Sequence, residues 1–80
     1  MDDGNILQRI AKLADEEREL EESHVGAALP AEGLERLRKI ELELDQCWDL
    51  LRQRRARRFA GQDPDSATER PESVVEKYQQ

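Results

Sequence analysis

Aromatic side chains are nearly absent from this 80-residue chain, which holds one Phe, one Trp and one Tyr. Cysteine and histidine also occur once each. A lone thiol cannot close an internal disulfide, which fits a reducing compartment and an expected cytoplasmic location. No apolar run of about 20 residues is available for a membrane helix. No basic start followed by an apolar stretch marks a secretory signal. No membrane partner is therefore expected. A zinc site needs about four ligands close together. Within the helical hairpin read below, His24 and Cys47 fall about 20 Å apart, too far to share a metal or act as a nucleophile pair. Gly-rich phosphate loops and Ser/His/Asp sets are missing as well. The chain is expected to have no catalytic residues, no cofactor and no metal, and so not to be an enzyme.

Charge is what the chain has in abundance, at 40% of residues. The net value of -6 hides a strong asymmetry. Residues 1–51 carry fourteen acids and six bases. Residues 52–58 carry five arginines and no acid, and residues 59–80 five acids and two bases. An acidic body, a short basic block and an acidic tail speak to partners rather than to fold.

Apolar spacing sets the fold class. Ile6, Ile10, Leu13 and Leu20 recur at helical spacing, predicting a helix over about 3–24. Asp2 or Asp3 suits its start. Residues 25–30 break the pattern, with Gly26 as a left-handed stop and Pro30 opening the next helix. A second helix is predicted over about 31–60, ended by Gly61 with Pro64 beyond. A connection this short folds the two helices antiparallel. Facing residues then sum to about 57, which matches Leu20 with Leu37, Leu13 with Leu44 and Ile6 with Leu51. The expected hairpin core is Ile6, Ile10, Leu13, Leu20, Leu34, Leu37, Leu44, Trp48 and Leu51, with Cys47 as a small buried neighbour. Leu42 and Leu50 lie outside the apolar arc, so one partner helix does not cover the whole surface. The second helix outruns the first, leaving Arg52 to Phe59 to be covered by the tail or another subunit.

The organisation expected is an all-α hairpin over 1–61 and a tail over 62–80. Residues 62–69 have linker composition, and residues 71–78 suit a short helix with Val74, Val75 and Tyr78 as docking side chains. A hairpin this small, without disulfide or metal, is short of core. Self-association is expected, most simply a dimer forming a four-helix bundle.

Two polar features carry candidate chemistry. Glu17 and Glu41 sit on or beside the apolar arcs and meet in the hairpin register, with Arg38 as an expected basic partner. Arg52, Arg54, Arg55, Arg57 and Arg58 ring the last turns of the second helix. They can oppose its negative end and pair with acids, or bind phosphate. Nucleic acid is the disfavoured partner, because the acidic body repels a long polyanion.

The string Leu44-Asp-Gln-Cys-Trp-Asp-Leu-Leu-Arg-Gln-Arg-Arg-Ala-Arg-Arg58, then Gly61, Asp63-Pro64-Asp65, Arg70-Pro71, Val74-Val75-Glu76 and Tyr78, resembles a family of short actinobacterial proteins, domain of unknown function 2630. The resemblance covers nearly the whole chain and implies a bacterial cytoplasmic setting, without assigning activity or binding residues. The functional expectation is a non-enzymatic interaction or adaptor protein that self-associates and binds a protein partner. The alternative is a regulator contacting RNA, DNA or a phosphate-bearing ligand through the arginine block.

Overall fold

The computed structural model describes residues 2–23 and 28–71 of the chain. Two helices dominate, α1 over Asp3–Glu22 and α2 over Ala31–Phe59, followed by a 3-10 turn at Pro64–Ser66. Asp2 caps α1, its carboxylate accepting from the Asn5 amide at 2.8 Å, which satisfies one of the open donors of the first turn. Pro30 takes the N-cap of α2 in extended conformation. Gly61 ends α2 at φ +73°. The Gly61 and Gln62 amides there donate back to the carbonyls of Arg58 and Arg57 at 3.2 and 2.7 Å. This is a Schellman closure, which requires the left-handed residue that glycine supplies without strain. His24 and Gly26 lie outside the described residues.

The helices pack antiparallel, since Asp3 of α1 pairs with Arg54 and Arg58 near the end of α2 while Glu16 pairs with Arg36 near its start. Asp3 and Arg54 fall on the predicted register. The buried core is Ile6, Ile10 and Leu13 from α1 with Ile40, Cys47 and Leu50 from α2. Leu20, Leu44, Leu51 and Ala67 pack against it, and Leu37 is half-buried.

Two expected core residues are not core. Leu34 is 52% exposed and Trp48 46% exposed. Leu34 sits at the level where α1 has already ended at Glu22, so nothing on α1 covers it. Trp48 is displaced because the buried surface of α2 centres on Cys47 and runs to Leu50 and Arg54. One residue of helix turns by about 100°, which moves Trp48 to the rim.

Leu50 is buried because the tail covers it. Residues 62–69 have the composition of a linker, yet they fold back as a strap. Asp63 accepts from the Asp65 amide at 2.9 Å, the Ser66 hydroxyl donates to the Asp63 carbonyl at 2.7 Å, and Ala67 reaches the core. Beyond the turn, Gln53 donates to the Thr68 carbonyl at 2.7 Å and Gln46 to the Arg70 carbonyl at 3.3 Å. The strap thus runs back along α2 toward its start. The expected docking residues Val74, Val75 and Tyr78 lie outside the described residues.

Candidate functional site

The five arginines of the basic block do not form one patch. Arg54 is 6% exposed. Its Nε donates to Asp3 Oδ1 at 2.5 Å, and its Nη1 donates to Asp65 Oδ1 at 2.9 Å and to the Pro64 carbonyl at 3.2 Å. Arg58 pairs with the second oxygen of Asp3 at 2.9 Å. One guanidinium therefore ties α1, α2 and the strap together, so Arg54 is a structural crosslink and not an outward ligand. Its planar fork and permanent charge suit that role, whereas a lysine offers one point charge. Hydrogen bonds from Arg54 and then Arg58 hold the Asp3 carboxyl below its ordinary value. Arg54 is in turn pushed upward by its bonds to Asp3 and Asp65. Arg52 and Arg55 are exposed and Arg57 is half-buried. Asp45 feels the charge of Arg52, although burial outweighs it and pushes the Asp45 carboxyl up.

The flank of α2 beneath the strap is polar and closed. Asp49 is 1% exposed, and its Oδ2 accepts from Gln53 at 2.9 Å and pairs with Arg70 Nε at 3.2 Å. Arg9 of α1 reaches Glu69 of the strap at 3.3 Å. Among the described residues no buried side-chain polar atom lacks a partner. Such a network is stabilising only when complete. Sequence reasoning missed it, although a signal was there: Leu50 lay outside the arc, with Gln46, Asp49 and Gln53 beside it at spacings of three and four.

Glu17 meets Glu41 as the register placed them, but the expected basic partner does not arrive. Burial first, then the charges of Glu21 and Glu41, push the Glu17 carboxyl up. Arg36 instead binds the neighbouring Glu16, because Glu16 faces the side of the hairpin that Arg36 reaches. Cys47 is buried, and that burial pushes its thiol up. A protonated, enclosed thiol is a poor nucleophile. Among the described residues no group of three or more His, Cys, Asp or Glu side chains is placed to hold a metal ion.

The opposite face of α2 is open. It carries Leu34, Trp48 and Phe59, the last 90% exposed, interleaved with Glu41, Arg52 and Arg55, all exposed. No ion pair to a described residue engages Arg55. Neither α1 nor the strap covers this face. Large apolar groups left in water beside charged side chains are the surface feature that marks contact sites.

Fold and site together define a small all-helical hairpin, sealed by the strap on one flank of its long helix, with Trp48 and Phe59 exposed on the other. The chain matches over residues 2–80 the family described as protein of unknown function (DUF2630), and it belongs to that family. It is 48% identical over 77 residues to the uncharacterized protein Mb0922c of Mycobacterium bovis and to Rv0898c of Mycobacterium tuberculosis, covering 95% of this chain and 88% of each relative. A further Mycobacterium tuberculosis relative, from strain CDC 1551, matches to the same extent. No solved structure matches the chain. Among the described residues no helix is long and apolar enough to cross a membrane.

Proposed function

We propose that this protein is a small non-enzymatic interaction or adaptor protein, which self-associates and meets protein through the outer face of α2. The observation that supports the reading is the exposure of Trp48 and Phe59 on that face while Asp49 and Arg54 are buried on the opposite flank. Tryptophan and arginine are the side chains most enriched where protein contacts concentrate their energy. A cytoplasmic setting goes with this reading.

A second reading rests on Arg55 and Phe59. An exposed guanidinium beside an exposed ring suits a phosphate and a stacked base. Arg54 is spent internally and Arg58 half so, which leaves fewer cations than the block holds. Titrating a labelled single-stranded RNA or DNA with the full chain at rising salt separates the two. The interaction reading expects no binding at physiological salt. Binding that persists there, with a steep inverse salt dependence and loss on Arg55→Ala, supports the second.

A further inference from the structure

We propose that residues 72–80 of this chain dock on the back of α2, the side turned away from α1, with Val74, Val75 and Tyr78 over Leu42 and Asp45. This docking does not depend on what meets the outer face. At about 100° per residue, Leu42, Asp45 and Asp49 each emerge about 140–160° away from Cys47, which packs in the core with α1. Nothing on α1 reaches that side. Yet Leu42 and Asp45 are half-buried and Asp49 is buried. Burial is also what pushes the Asp45 carboxyl up, against the pull of Arg52. Arg38 and Ala56 emerge from the same side, nearer the two ends of α2, and both are exposed. The protection is therefore local, spanning about two turns. The helix alone does not provide it, because Leu7 and Leu34, which nothing covers, are 50% and 52% exposed.

The strap leads to the edge of this protected zone. Thr68 accepts from Gln53, and Arg70 accepts from Gln46, so the chain is already travelling toward the start of α2. Arg70 accounts for Asp49, its Nε lying 3.2 Å from the carboxylate. Leu42 is about seven residues, or about 10 Å, farther along and needs another cover. Residues 24–27 enter α2 through Ala31, about 16 Å from Leu42. Residues 72–80 follow directly from the strap and are the segment in reach. Their length matches the zone when they are helical. From Pro71 to Tyr78 a helix advances about 10 Å, from the level of Gln46 to that of about Lys39. An extended chain covers about 23 Å and overruns it. Val74, Val75 and Tyr78 share one side of such a helix, and Pro71 suits its first position. Two turns are marginal alone, so contact with Leu42 is what holds them.

The test is nuclear magnetic resonance on the isotope-labelled full chain. Nuclear Overhauser cross-peaks are expected between the Leu42 methyl groups and protons of Val74, Val75 or Tyr78. A second measurement uses the triple variant Val74→Ser, Val75→Ser and Tyr78→Ser, which adds no charge and leaves α1 and α2 untouched. There the Asp45 carboxyl is expected to titrate at lower pH than in the parent, because its cover has gone. Absence of every cross-peak from Leu42 to the three residues overturns the docking, as does an unchanged Asp45 titration in the triple variant. Mixing labelled with unlabelled chain identifies the source of the tail. Cross-peaks found only between differently labelled copies assign the seat to a second copy's tail and overturn docking by the chain's own.

Discussion

The two sides of α2 invert the usual relation between residue type and burial. On the flank beneath the strap, an aspartate and an arginine are among the most buried residues of the chain. On the outer face, a tryptophan, a phenylalanine and a leucine stand in solvent. The difference lies in what each side is given as a neighbour. The strap brings backbone carbonyls, Asp65 and Arg70, which join Asp3 of α1 in satisfying the polar groups there. Neither α1 nor the strap covers Trp48 or Phe59 on the outer face. A buried charge marks a completed internal contact, and an exposed aromatic marks one still to be made.

The largest way to break the contrast is to remove the strap. Truncation after Gly61 strips Asp65 from Arg54 and Arg70 from Asp49, and uncovers Leu50. The melting temperature is expected to fall by at least about 15 °C, read by circular dichroism, given about 4–8 °C per kcal/mol for a domain this size. Unchanged melting means that the strap does not seal the flank.

Arg54→Ala comes next, with a loss of about 10 °C. The contribution of Asp3 has a defined pH signature. Because Arg54 and Arg58 hold its folded carboxyl below the ordinary value, its stabilisation is full above the unfolded value of about 4 and is lost as pH falls through the folded one. The difference in stability between the parent and Asp3→Asn is expected to be constant at neutral pH and to shrink below about pH 4.

How much of this was legible in the sequence depends on what each residue packs against. The helix ends, the Gly61 stop and the register all followed from local chemistry and periodicity, and Asp3 opposite Arg54 confirms the last. Trp48 and Leu34 were misplaced because an arc drawn through apolar residues assumes that apolar means inward. The real buried surface of α2 is turned toward Leu50 and Arg54, since two neighbours, not one, share it. The arginine block looked uniform because spacing records where side chains emerge and not which acids the fold delivers to them. Residues 62–69 looked like a linker because Pro64, Asp65 and Thr68 accept from side chains 10, 11 and 15 positions earlier, which no local pattern encodes.

Smaller effects refine the comparison. Arg70→Ala leaves Asp49 buried with Gln53 alone, and a loss of about 5 °C is expected. Glu17→Gln runs the other way. Its carboxyl is pushed up by burial and by Glu21 and Glu41, so its charged form is disfavoured in the fold above that raised value and relieved below it. At pH 7 the substitution is expected to raise the melting temperature by about 2 °C, and the gain disappears in acid as Glu17 of the parent protonates.

The single tryptophan offers the most direct test of the proposal that α1 and the strap leave Trp48 exposed and that self-association covers it. Its fluorescence reports that face alone. On dilution of the parent chain, Trp48 emission is expected to shift to the red and acrylamide quenching to rise. Emission that stays blue and weakly quenched at every dilution places Trp48 inside the hairpin and contradicts the account.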